Sequence, residues 1–135
     1  MEKKREIKFR AWDTEEKVMY ENDRFMGDYD DLYFGDINDI FAKEPEVIFM
    51  QFTGLKDKKG KEIYEGDILA NREVHGDNFY CVVEYGIDGF NGVTYPGRNH
   101  CMPLHTIMTY EGAEYNEVIG NIYENPELLS KLNKE

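Results

Sequence analysis

At 135 residues, with 41% hydrophobic and 33% charged positions, the chain has the composition of a folded globular protein of one domain or two small subdomains. Its formal net charge of −12 repels phosphate backbones and so disfavours ordinary nucleic-acid binding, and two cysteines are too few for a disulfide scaffold. No apolar run approaches the ~20 residues that cross a bilayer, and no apolar core follows the charged opening as in a signal peptide, so a cytoplasmic protein with reduced thiols is expected.

Ile7, Phe9 and Ala11 alternate with Lys8, Arg10 and Trp12, the period of a strand. Residues 13–17 have turn polarity and Val18-Met19-Tyr20 resumes an apolar strand, so the opening reads as a hairpin. Residues 21–46 fit strand, short helix or loop about equally, and Pro45 ends any helix begun at Ile37, Ile40 and Phe41. Charge is uneven here: residues 13–46 hold twelve acids against Lys17, Arg24 and Lys43, whereas the first ten residues hold five Lys/Arg against Glu2 and Glu6.

Residues 47–52 predict a strand of β-branched and aromatic residues, interrupted at Thr53-Gly54. Asp57-Lys58-Lys59-Gly60 predicts a turn inside a basic loop, Lys56 to Lys61, interrupted by Asp57, that reads as solvated, with a phosphate-tracking patch as the lesser alternative. Gly66 precedes a short strand at Asp67-Ile68-Leu69-Ala70. A polar loop at 72–78 leads to a strand at 80–85, and Gly86, Gly89, Gly92 and Gly97 punctuate two short strands around Phe90 and Val93-Thr94-Tyr95. Residues 100–110 are apolar but irregular, and residues 117–123 form the last strand. Asn125 is a favourable N-cap, with Pro126 at the first helical position and Glu127 against the helix dipole, before a short helix docking Leu128, Leu129 and Leu132.

Strands at this spacing, without a sustained helical period, predict a mainly β fold of antiparallel pairs. The order of the second half suggests a small SH3-like barrel over 47–135, packed against an acidic β-rich subdomain over 1–46, with a short C-terminal helix.

Four blocks carry a family resemblance: Lys8-Phe9-Arg10-Ala11-Trp12-Asp13, Met50-Gln51-Phe52-Thr53-Gly54-Leu55-Lys56-Asp57, the stretch from Gly60 to Ile68, and the stretch from Val118 to Leu129. Together and in this order they resemble the YopX family of bacteriophage and prophage proteins. The resemblance implies a β-rich fold with an SH3-type barrel and brings no assigned activity or catalytic residues. Within the blocks, Gly54, Gly60, Gly66 and Gly120 suit turns or close backbone approach, and Ile63, Tyr64, Ile68, Ile119 and Ile122 suit the core.

No constellation of residues has the spacing of a known active site. His75, Cys81, His100, Cys101 and His105 are the soft metal-ligand candidates, but they lack the twice-repeated pairs of a structural zinc site, and no metal or cofactor is expected. Cys101 beside His100 is the better nucleophile candidate, whereas Cys81 lies in an alternating strand. Glu62, Glu65 and Asp67 bracket Gly66 and could share acid–base work, although such residues more often fix turns. Tyr29, Tyr33, Phe34, Phe90 and Tyr95, set among glycines and acids, are candidate interface anchors as well as candidate packing. The expected function is therefore non-enzymatic: a phage-derived module that binds a protein partner or itself as a homo-oligomer. The alternatives are an acidic decoy of DNA carried by residues 13–46, and a small enzyme using the Glu62–Asp67 turn or the His100-Cys101 pair.

Overall fold

The structure, a computed structural model, describes residues 6–21, 47–71, 80–87, 89–95, 101–105 and 117–130. The expectations for residues 22–46 and for the loop 72–79 lie outside these. The described residues are mainly β: nine strands and one short helix. By its internal contacts the chain divides into Met1–Gly54 and Leu55–Glu135, so the division falls inside a strand.

In the first unit, β1 (Phe9–Asp13) lies between β2 (Val18–Tyr20) and β3 (Val47–Lys56), antiparallel to both. Ala11 sets the register, opposite Tyr20 on one side and Phe49 on the other. On that face Ala11 and Val47 are buried and Phe9, Tyr20 and Phe49 pack against them. The other face is not solvated, as the alternation of Lys8, Arg10 and Trp12 would suggest, because Arg10, Trp12, Met50 and Phe52 are buried as well. A central strand covered on both faces loses the polar–apolar alternation from which half-buried strands are read. Lys8 follows the same logic at the edge, with its ammonium 5.4 Å from the centroid of the Phe52 ring.

The β1–β2 turn is built by Asp13. Its Oδ1 accepts hydrogen bonds from the Glu15 and Glu16 backbone N–H groups, at 3.0 and 2.9 Å. The Lys17 N–H donates to the Asp13 carbonyl at 2.8 Å, which places Lys17 at a φ of 59°, in the left-handed region.

β3 does not stop at Thr53-Gly54. It runs on to Lys56, with Gly54 absorbing a φ of 88° inside the strand, and its end pairs with β4 (Glu62–Tyr64). The second unit also holds a curled, half-barrel sheet of five strands. These are β5 (Asp67–Ala70), β6 (Tyr80–Gly86), β7 (Gly89–Tyr95), β8 (Cys101–Pro103) and β9 (Glu117–Asn121), in the order β8-β7-β6-β5-β9, every pairing antiparallel. The two short strands expected between Gly86 and Gly97 are one, since Gly92 lies within β7 opposite Val83. Gly86 and Gly89 close the β6–β7 hairpin instead.

Both faces of this sheet are apolar. Ile63, Leu69, Cys81, Val83, Leu104 and Val118 form one core, with Leu55 and Phe90 against it. Ile68, Ala70, Tyr80 and Val82 form the other, covered by Ile119, Ile122, Leu128 and Leu129, the last two from helix α1 (Glu127–Ser130). Alternate residues of β5 and β6 thus feed different cores, which explains their nearly unbroken apolar runs. No helix among the described residues is long and apolar enough to cross a membrane.

Candidate functional site

Asp57 is a buried carboxylate of the second unit that accepts several hydrogen bonds. It opens the β3–β4 turn, where the Gly60 N–H donates to the Asp57 carbonyl at 3.0 Å and Gly60 takes a φ of 86°. Its Oδ1 accepts from the Lys59 N–H at 2.9 Å and the Lys61 N–H at 2.8 Å, an Asx-type closure of the turn. Its Oδ2 accepts from the Val118 N–H of β9 at 2.9 Å. Lys59 extends the same link, its Nζ lying 2.7 Å from Glu117 Oε1. Burial works to raise the Asp57 pKa, but the three backbone N–H donors from Val118, Lys61 and Lys59 and the Lys61 charge outweigh it, holding the carboxyl below its ordinary value.

The other buried carboxylates have similar work. Asp67, fully buried, accepts from the Tyr64 N–H at 2.7 Å across the β4–β5 turn, where Gly66 supplies a φ of 84°. The Gly66 N–H donates to the Val83 carbonyl and its own carbonyl accepts from Ile122, so the turn is tied to both β6 and the segment after β9. Glu62 and Glu65 are half-buried. At the far end Asn121 Oδ1 accepts from the Tyr123 and Glu124 N–H groups. Asn125 departs from its expected role: its carbonyl accepts from the Leu128 N–H at the start of the helix, but its side-chain oxygen turns back to accept from the Asn121 N–H at 3.1 Å.

The soft-ligand candidates do not assemble among the described residues, where no group of three or more His, Cys, Asp or Glu could hold a metal ion. Cys81 is a buried free thiol of the first core and His105 is exposed. His75, His100 and the Cys101 side chain lie outside the described residues, as do Tyr29, Tyr33, Phe34 and the Tyr95 side chain. Phe90 is half-buried, packed on the first core and edge-on to Tyr85 with ring centroids 5.2 Å apart.

Two surface features stand out, the second already expected from the basic loop Lys56 to Lys61. The β6–β7 hairpin carries an exposed apolar tip, Tyr85 at 64% and Ile87 at 103% exposure. The signal was present in Tyr85-Gly86-Ile87, an aromatic and a β-branched residue flanking a glycine at the end of a strand. The β3–β4 hairpin exposes Lys56, Lys58, Lys59 and Lys61 around the buried Asp57.

A crystal structure of protein EF1440 from Enterococcus faecalis is similar to this chain with a TM-score of 0.59 at 32% identity, covering 93% of this chain and 99% of that one. No curated protein matches. Neither the matching family's description, YopX protein, nor that of the Enterococcus structure names an activity. The family match runs over residues 8–130, from the first residue of the Lys8–Asp13 block through helix α1, and the chain belongs to the YopX protein family.

Proposed function

We propose that the protein is a non-enzymatic protein-binding or assembly module of a phage or prophage, acting in the host cytoplasm and joining copies of itself or a protein partner through the rim of an SH3-type barrel. The observation that carries this reading is the apolar tip of the β6–β7 hairpin. An isoleucine and a tyrosine at the end of a hairpin, fully and largely exposed, cost solubility, and neither belongs to a core, the tyrosine ring touching Phe90 alone of the described residues around the first core. Aromatic and aliphatic side chains on rigid loops are the usual anchors of protein interfaces.

The buried carboxylates support the same side. Asp13, Asp57 and Asp67 each accept hydrogen bonds from backbone N–H groups, which is structural work, and Cys81 is core. Light scattering of the wild type and of Tyr85→Ser/Ile87→Asp tests the reading. An oligomer that the double variant dissociates supports it. A wild type that is strictly monomeric, and whose photo-crosslinker at position 87 captures no protein in the host, overturns it.

The acidic-decoy reading draws on one observation, the twelve acids of residues 13–46. It requires salt-sensitive capture of a DNA-binding protein by the acidic stretch, undiminished by Ile87→Asp.

A further inference from the structure

The β3–β4 hairpin is a patch of inverted charge on an acidic molecule. Residues 56–61 hold four lysines and one acid in a chain of net charge −12. The one acid, Asp57, is turned inward onto backbone N–H groups, so the outward face is cationic throughout. The lysines divide by role. Lys59 is held by Glu117, and Lys61 supports the Asp57 carboxylate electrostatically. Lys56 and Lys58 are exposed and belong to neither arrangement.

The backbone presenting them is already fixed, by the Asp57 side chain and by the Asp57 N–H donating to the Lys61 carbonyl at 2.8 Å. A fixed hairpin presents charge without a backbone-ordering cost on binding. The same hydrogen bonds argue against a phosphate ligand. The N–H groups of Lys59, Gly60 and Lys61, which would form an anion nest, all donate to Asp57. No arginine on the hairpin offers a bidentate fork. A carboxylate-rich protein surface suits compact lysine charges better.

Such a surface is present on the chain itself. The β1–β2 turn exposes Glu15 and Glu16 at the start of the acidic stretch 13–46, and Asp13 fixes its backbone as Asp57 fixes the basic hairpin. We propose that Lys56 and Lys58 of one copy dock on Glu15 and Glu16 of another, a contact between two carboxylate-stapled turns. The proposal rests on the assembly reading and names a second surface for it. Because the patches differ, the contact is either made twice, closing a two-fold dimer, or made once per pair of copies, continuing into a ring or a filament.

The experiment is charge reversal read by sedimentation velocity on the full chain, with melting curves to verify folding. In ~0.05 M salt, where exposed charges are weakly screened, wild type associates; at ~0.5 M salt it dissociates. Lys56→Glu/Lys58→Glu and Glu15→Lys/Glu16→Lys each weaken association about tenfold or more, and an equimolar mixture of the two associates again, through the native pair and the swapped pair. Association unaffected by the lysine variant, or a mixture that stays dissociated, overturns the proposal. If Ile87→Asp dissociates an oligomer that the lysine variant leaves intact, this contact is wrong and the assembly reading stands. A wild type monomeric at both salt concentrations removes this contact, while capture through position 87 separately decides the partner-binding reading.

Discussion

The Asp57 carboxylate and the Val118 backbone N–H meet at 2.9 Å across 61 residues of chain. One side chain therefore closes a local turn with Oδ1 and fastens the last strand to it with Oδ2. A neutral residue of the same shape could copy half of this, since an amide has one acceptor oxygen where a carboxylate has two.

Asp57→Asn is expected to cost about 2–3 kcal/mol at pH 7, because at least one backbone donor loses a charged acceptor. The pH dependence has a definite sign. Asp57 is held below its ordinary pKa when folded, so its contribution is complete above the unfolded value of about 3.9 and is lost as pH falls through the lower folded value. Urea melts at pH 7 and at pH 3 should show the gap between wild type and Asp57→Asn narrowing in acid. A gap that stays constant would mean the carboxylate charge is not what binds these amides.

Much of this fold was legible because local chemistry and burial agreed. The turns at Asp13, Asp57 and Gly66 sit where Asp and Gly placed them, and Ile63, Tyr64 and Ile68 are core as expected, whereas Ile119 and Ile122 are half-buried against it. The misreadings have one physical source. Glycines at 54 and 92 looked like breaks, yet strand pairing holds both inside β3 and β7. Local propensity lost to long-range hydrogen bonding. The candidate site was less legible still: the turn pattern implies that Asp57 bonds the Lys59 amide, but nothing local points to Val118. Likewise Asn125 has the composition of a cap, and only the tertiary structure shows its side chain serving Asn121.

Gly120 is needed for that last contact. A Cβ at position 120 would lie 2.5 Å from Asn125 Oδ1 and 2.8 Å from its Cγ. Gly120→Ala should therefore cost about 1–3 kcal/mol through crowding and displacement of the Asn125 side chain. Asn125→Ala alone should cost about 1 kcal/mol for the lost hydrogen bond to the Asn121 N–H. The double variant should cost clearly less than the two added, since only the 3.1 Å contact with Cβ survives. Strict additivity in thermal melts would show that the two residues do not share this space.

Lys17 is the non-glycine residue at positive φ among those described. Its exposed side chain offers no evident compensation for the left-handed backbone. Lys17→Gly should stabilise the protein by about 0.5–1 kcal/mol, the relief of steric strain exceeding the entropy that glycine adds to the unfolded chain. Chemical denaturation reads this as a higher midpoint at unchanged slope, and a lower midpoint would place an interaction of the Lys17 side chain in the balance.

Along β6, burial separates what holds the fold from what is left for binding. Val83 and Tyr85 are two residues apart on one face of the strand, the first 1% exposed in the core and the second 64% exposed at the hairpin tip. Val83→Ala leaves a cavity among Ile63, Leu69 and Leu104 and should cost about 2 kcal/mol. Tyr85→Ala loses little beyond its edge contact with Phe90 and should cost no more than about 1 kcal/mol. Ile87→Asp, at a fully exposed position, should stay within about 0.5 kcal/mol of wild type. Measured at low protein concentration, so that association contributes nothing, these three values distinguish a tip kept for a partner from one that supports the sheet. A loss of 2 kcal/mol or more at Ile87 would show that the tip packs within the chain, and the proposed binding surface would have to be sought elsewhere than on this hairpin.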